Sequence, residues 1–304
     1  MLKNLPLEKI AATILLLGYL IHWAFYDYQP IEIDYQFAPY TKGENAAVFA
    51  AYSADGTIPD YVVDYLKKLK QIAPNIVYVT DNPIKRGEIK KIKPYISHLL
   101  AYRHGEYDWG SYKRGVAILK NEDTFNKLIL ANDSTLPLAN TFHPILAKMT
   151  TENADIYGIT ANKDGAYHLQ SYFLILTPEA WKSTAFAEYL NAVKPEKDGL
   201  TVAYHYEVPF TQYMEEQGFK SAAHIPYDSL STLPLNDKNC YPLTMISQYN
   251  APFLKMRTFT NRLNVQESRR LVFNWLKKNK PTAYHMLLTH LKNINSPYLK
   301  DAHE

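Results

Sequence analysis

The sequence is short of cysteine, of glycine and of net charge. A single cysteine, Cys240, excludes a disulfide framework and any zinc site built from several thiolates, and it suits a reducing compartment. The 33 Lys and Arg against 30 Asp and Glu leave a formal charge of +3, too little for a protein held to nucleic acid through phosphate contacts. No nucleic-acid partner is therefore expected. HExxH, GxSxG, GxxxxGK[ST] and GxGxxG are all absent, which counts against zinc peptidases, serine hydrolases, phosphate-loop NTPases and Rossmann dehydrogenases. Long apolar runs are also scarce. The one strong run, Ile10 to Tyr26, sits at the lower limit for a spanning helix and contains His22. Lys3 and Lys9 precede it, Asp27, Glu32 and Asp34 follow it, and no small-x-small cleavage pattern points to a removed signal peptide. Three readings stay open: a spanning anchor, a helix in the membrane interface with Tyr19, Trp23 and Tyr26 as interfacial aromatics, or a helix packed against protein.

What is present is an ordinary globular balance, 47% hydrophobic and 21% charged, that excludes intrinsic disorder. Tyrosine is in excess at 25, which suits a polar cleft or a wet interface. After an irregular stretch from Tyr28 to Asn45, apolar runs at 46–52, 76–80, 97–102, 127–131 and 171–176 read as strands. Between them Thr57 reads as an N-cap with Pro59 in the first turn, and Val62, Val63, Leu66 and Leu69 recur at helical spacing. Residues 87–93, 111–121 and 208–217 also read as helices, the last closed by Gly218. This alternation predicts an α/β fold with a mostly parallel central sheet flanked by helices. The expected organisation is an apolar N-terminal helix over 1–30, a linker over 31–45, a main domain over 46–256 and basic C-terminal helices over 257–304.

Ligands of open parallel sheets bind beyond the carboxyl ends of the strands, so the loops there hold the candidates. Asp133, in Asn132-Asp133-Ser134, can offer its carboxylate to a divalent cation or a ribose hydroxyl, or simply cap a turn. In the segment 103–113, Gly105 and Gly110 permit close backbone approach, Asp108 and Lys113 carry opposite charges, and Trp109 or Tyr112 offers a stacking ring. A solvated loop with a surface ion pair reads equally well there. Glu207, just ahead of Pro209 and a short helix, suits a general base for a hydroxyl nucleophile or plain helix capping. His168, His205 and His224 are candidate metal ligands or sugar contacts.

Several of these segments carry a resemblance. Phe49-Ala50-Ala51-Tyr52-Ser53-Ala54-Asp55-Gly56-Thr57-Ile58-Pro59-Asp60-Tyr61, the block from Arg103 to Lys113 and Leu130-Ala131-Asn132-Asp133-Ser134 resemble the rhamnan synthesis protein F family of bacterial glycosyltransferases. Tyr167-His168-Leu169-Gln170-Ser171-Tyr172-Phe173 and Pro252-Phe253-Leu254-Lys255 look like two later blocks of the same family. Glu106 departs from the pattern, where a small or basic residue is expected. The resemblance implies a GT-A-like nucleotide-diphosphosugar transferase fold that moves a sugar onto a growing cell-surface or lipid-linked glycan. It places Tyr52, Asp55 and Asp81 near the nucleotide, and Gly105, Asp108, Gly110 and Lys113 near the donor diphosphate and sugar, with Asn132, His168 and Gln170 in the same nucleotide-sugar site. Asp133 falls where such folds hold a metal with Asp-x-Asp; Asn-Asp-Ser stands here, leaving one carboxylate for an Mn²⁺ or Mg²⁺ ion. Glu207 resembles the base of inverting enzymes. A silent scaffold subunit of a glycan-assembly complex is the alternative. Nucleotide sugars are made in the cytosol, so the resemblance implies a cytoplasmic protein at the inner face of the membrane, using a nucleotide-sugar donor and a glycan or lipid-linked acceptor.

Overall fold

A computed structural model describes residues 7–120, 124–260 and 264–302. Helix α1 (Leu7–Tyr28) is followed by the short strands β1 (Pro30–Ile31) and β2 (Ile33–Gln36). Then come β3 (Ala46–Ala51), α2 (Asp60–Lys70), β4 (Asn75–Thr80), β5 (Ile84–Lys85), α3 (Arg86–Ile92), β6 (His98–Ala101), α4 (Tyr107–Lys120) and β7 (Leu128–Asn132). The second half runs β8 (Thr135–Pro137), α5 (His143–Glu152), β9 (Ile156–Asn162), β10 (His168–Leu169), β11 (Phe173–Leu176), α6 (Pro178–Trp181), α7 (Thr184–Asn191) and α8 (Gly199–Val202). A π-helical turn (Ala203–Glu207) leads into α9 (Val208–Glu216), then β12 (Ser221–Ile225), α10 (Pro242–Ser247), β13 (Phe253–Lys255), α11 (Arg269–Asn279) and α12 (Pro281–Asn293). Among the described residues no helix is long and apolar enough to cross a membrane.

The main sheet runs β10-β9-β11-β7-β3-β4-β6-β2, with β12 parallel to β9 off that path. Its centre, β7-β3-β4-β6, is parallel, as the alternating pattern predicts. Its flanks are not: β11 pairs antiparallel with both β7 and β9, and β2 lies antiparallel on β6, so the sheet is mixed. The stretch read as a linker over 31–45 therefore supplies an edge strand. Its burial runs half-buried and then exposed, because an edge strand covers little core and leaves no apolar run to read. Asn45, at the end of that stretch, ties to Ile72 and Lys127.

Burial on both faces explains the continuous apolar strands. Along β3, Ala47, Phe49 and Ala51 face one core with α2, α5, α11 and α12, while Ala46, Val48 and Ala50 face a second core with α4, α7 and α9. The first core is aromatic. Phe253 of β13 packs on Tyr65, Phe142 and Phe173 with ring centroids 5.2 Å apart in each case. The basic C-terminal helices belong to this same core through Val272, Phe273, Leu276, Tyr284, Leu287 and Leu291. On the second face Gly115 of α4 lies directly on Val48, where a Cβ would overlap Val48 Cγ1.

The helix after β3 starts later than its cap reading suggests. Pro59 takes the N-cap position of α2, and Thr57 instead hydrogen-bonds Asp55 through both its amide (3.1 Å) and its hydroxyl (2.7 Å).

Candidate functional site

Four strands of the parallel centre end at one edge, and their following turns build the site. After β7, Asn132, Asp133 and Ser134 turn into β8; the Asp133 amide donates to Ala50 O at 3.1 Å, holding the turn against the end of β3. Asp133 Oδ2 accepts the Tyr52 amide at 2.8 Å, and its carbonyl accepts the Tyr61 hydroxyl at 2.9 Å. The side-chain amide of Asn132 donates to Asp108 Oδ2 at 3.0 Å, while its carbonyl oxygen accepts the Ser134 hydroxyl at 2.6 Å. Strand β8 then pairs with β13 in a register that sets Lys255 opposite Thr135. That pairing brings Lys255 Nζ to 3.4 Å from Ser134 Oγ and 4.1 Å above the Tyr172 ring.

Glu207 enters from the other side. The π-helical turn inserts an extra residue ahead of α9, a local widening that recurs at functional sites. Glu207 Oε2 accepts the Ser171 amide at 2.9 Å and the Ser171 hydroxyl, and Oε1 lies 3.9 Å from His168 Nε2. His168 is buried, with Nδ1 2.8 Å from Ala166 O. Gln170 is buried beside them, its Oε1 accepting Thr160 Oγ1 at 2.7 Å and Asn239 Nδ2 at 2.9 Å. Asp237 pairs with Arg257 and accepts from Asn162 and Asn239, so its carboxyl, though buried, stays below its ordinary value.

The carboxyls in the cleft behave otherwise. Burial raises Asp133 to about 7, with the Asp108 charge adding to the Tyr52-opposed penalty. Asp108 is pushed up to about 6 by burial and by the charge of Glu207. Lys255 is lowered to about 8 by burial and the nearby Arg257, against the pull of Glu207, Asp237 and Asp108. Desolvated groups of both signs thus share one cleft, the arrangement that perturbs pKa values at reactive sites.

Asp108, Asn132 and Asp133 therefore stand together at the Asn-Asp-Ser turn, and His168 and Glu207 stand together beside Gln170 and Ser171. The other candidates divide differently. Residues 107–113 are the first two turns of α4 rather than a loop, so Asp108, Gly110 and Lys113 are helical. Tyr107 starts that helix at φ 56, a backbone state that hid the start from a propensity reading. Lys113 donates to Val193 O at 2.9 Å. At Gly110, Glu106 and His104 lie where a Cβ would stand, and Glu106 pairs with Arg114. Asp81 is spent on the turn after β6, accepting the amides of His104 (2.7 Å) and Gly105 (2.8 Å), with Gly105 at φ +73. Asp55 organises its own turn. Burial opposes its ionisation, but Thr57, Ser53 and Lys85 overcome this and hold it at about 2. Tyr52 is half exposed and faces the Arg103 guanidinium at 5.7 Å.

His205 pairs with Glu196, and His224 lies against Tyr157. No group of three His, Cys, Asp or Glu side chains among the described residues is placed to hold an ion. Tyr112 and Tyr172 turn out to be core residues, so part of the tyrosine excess serves packing. Lys255, Arg257 and Ser171 were not singled out from sequence. Lys255 and Ser171 do lie in the two later blocks quoted above, a position that could have flagged them.

No curated protein matches the chain. Solved structures give slight likenesses. A protein described as a nucleotide-diphospho-sugar transferase from Desulfovibrio desulfuricans G20 is 13% identical, covering 79% of this chain and 98% of its own, at a TM-score of 0.41. The 4-diphosphocytidyl-2C-methyl-D-erythritol synthase of Anaerococcus prevotii is 12% identical over 53% of this chain and 81% of its own, at 0.38. Core-mannan synthase A from Aspergillus fumigatus, in an Mn/GDP form, is 10% identical over 54% and 69%, at 0.32. Likeness at these scores carries no inference. The family match does, since it extends over residues 76–302 and takes in β7, the Asn-Asp-Ser turn, Glu207 and Lys255. The chain belongs to the rhamnan synthesis protein F family.

Proposed function

We propose that this protein is an inverting glycosyltransferase of GT-A-like fold. It moves a sugar from a nucleoside-diphosphate sugar to a hydroxyl of a cell-surface polysaccharide or a lipid-linked glycan. The observation that carries the reading is that Asp108 is held by Asn132 of the Asn-Asp-Ser turn and Lys255 lies on Ser134 of the same turn, beyond the carboxyl ends of the parallel strands, while Glu207 is held by Ser171.

Glu207 is the base. Ser171 fixes one of its oxygens, which leaves the other to accept the proton of the acceptor hydroxyl. Asp133 and Asp108 fit an Mg²⁺ or Mn²⁺ ion, because two carboxyls raised by burial and by a like charge ionise more readily beside a cation. With only two protein carboxylates the remaining ligands would come from water and donor phosphates, the usual habit of Mg²⁺. An ion held there would supply positive charge against the diphosphate leaving group. Lys255 supplies a fixed positive charge beside the Asn-Asp-Ser turn for the same charge development. Tyr52 and Arg103 offer an exposed ring and a guanidinium for the nucleoside. A cytoplasmic location at the inner membrane face follows from where nucleotide sugars are made.

Donor turnover with Mg²⁺ or Mn²⁺ tests the assignment. Glu207→Gln should lower kcat about 10²- to 10⁴-fold while the protein stays folded. Near wild-type kcat for both Glu207→Gln and Asp133→Asn would remove these residues from the reaction. Calorimetry that finds no nucleotide-sugar binding at millimolar ligand would favour a silent scaffold subunit instead.

A further inference from the structure

We infer that α1 and the cationic stretch 85–93 together form a docking surface for an anionic phospholipid bilayer. This rests on the membrane-facing part of the proposed function and adds which elements make the contact and with what lipid. Ile14, Leu15, Leu16, Leu17, Leu20 and Ile21 are each more than half exposed. Successive helical residues are 100° apart, so the run 14–17 alone points around most of the helix. A surface helix of a globular protein would show one apolar stripe toward its core; a helix apolar on all sides suits hydrocarbon.

The base of α1 is fixed to the body, and the fixing groups are basic. Arg86 donates to the Tyr26 hydroxyl at 2.8 Å and lies over its ring, Lys85 lies 4.3 Å over the Tyr28 ring, and Lys90 is 3.6 Å from Asp27. Gly87 permits that approach, since a Cβ there would press on Asp27 at 3.2 Å. The stretch 85–93 holds five cations, Lys85, Arg86, Lys90, Lys91 and Lys93, against Glu88, which is engaged by Lys91 at 2.7 Å and by the Ile58 amide, and against Asp27 and Asp55, which face it at Lys90 and Lys85, so an excess of two positive charges remains. Lys90, Lys91 and Lys93 are exposed.

Charge decides between occupants. Two copies meeting through α1 would bring two such cationic stretches together, whereas acidic headgroups neutralise them while the leucines enter the acyl layer. Tyr28, Lys85 and Lys91 also line a cavity of about 640 Å³ whose other wall includes Tyr52 and Tyr61, the two residues hydrogen-bonded to Asp133.

Vesicle sedimentation of the full chain tests the surface with phosphatidylcholine alone and with a 3:1 mixture of phosphatidylcholine and phosphatidylglycerol. The chain should sediment with the mixed vesicles, at least tenfold more weakly with the neutral ones, and less as salt rises. Leu15→Ser with Leu16→Ser, both at exposed positions, should cut partitioning roughly 100-fold. Lys90→Gln with Lys93→Gln should cut it roughly 25-fold on the mixed vesicles only. Failure to sediment with either vesicle, equal binding by the variants, or an α1-mediated dimer that excludes vesicles would each overturn the docking surface. The readout needs no sugar transfer, so loss of the enzymatic reading leaves it intact, and the reverse also holds.

Discussion

Asp133→Asn separates stability from function at one atom. Lifting the Asp133 carboxyl from its ordinary 3.8 to about 7 costs the ionised form about 4 kcal/mol, at 1.36 kcal/mol per pH unit. Between those two values the folded chain keeps a proton that the unfolded chain has released. Folding stability from this group is therefore complete below about pH 4, falls as pH rises, and is lost above about pH 7. Asn carries no charge at any of these pH values, and its carbonyl oxygen can still accept the Tyr52 amide. Allowing for relaxation and partial solvent access, the variant should be more stable than wild type by about 1–3 kcal/mol at pH 8. It should show no gain at pH 4. For a chain of this size that is a rise in Tm of a few degrees. Calorimetric melts of both proteins from pH 4 to pH 8.5 read the difference directly, and Mg²⁺ at pH 8 should raise Tm of the wild type but not of the variant. A difference that does not change with pH, or a variant less stable at pH 8, would refute the picture of a carboxylate held ionised against its surroundings.

Two other perturbations test the packing. Gly115→Ala forces a methyl into Val48 and should destabilise the fold by about 1–3 kcal/mol in urea melts, with part recovered by adding Val48→Ala. Cys240 is buried and its thiol is pushed up to about 11, so a disulfide-exchange reagent should label it slowly in the native protein and fully once it is unfolded in urea. Fast native labelling would contradict that burial.

The strands that build the site were legible because both faces of the parallel centre are buried. Ala46–Ala51, Asn75–Thr80 and Leu128–Asn132 are unbroken in burial, and so they read as apolar runs. Edge strand β2 was not legible, since only one of its residues is even partly buried. The N-terminus of α4 was missed for a different reason. Gly110 and the positive φ of Tyr107 speak for a loop, and only the contact with Glu106 and His104 shows that the glycine serves close packing inside a helix. The same difficulty governs the site. Asp55, Asp81, Asp108 and Asp133 all follow strands and look alike in sequence, but hydrogen bonds and a nearby lysine hold Asp55 low and backbone amides engage Asp81 in a turn, whereas burial raises Asp108 and Asp133. Lys255 reached the cleft only through the β8–β13 register, a pairing between segments far apart in the chain.

That long-range closure has a temporal side. Tyr61 of α2 packs edge-on against His290 of α12 with ring centroids 5.1 Å apart, and the core around Phe49 draws on Phe253, Phe273 and Leu287. At 5–20 residues per second a ribosome needs on the order of 10 to 50 s to travel from α2 to α12. Throughout that interval one face of the parallel centre has only part of its cover, from α2 and α5. Contacts so distant in sequence also form slowly once the chain is complete. The aromatic core beside the Asn-Asp-Ser turn is thus completed only once α11 and α12 have been made.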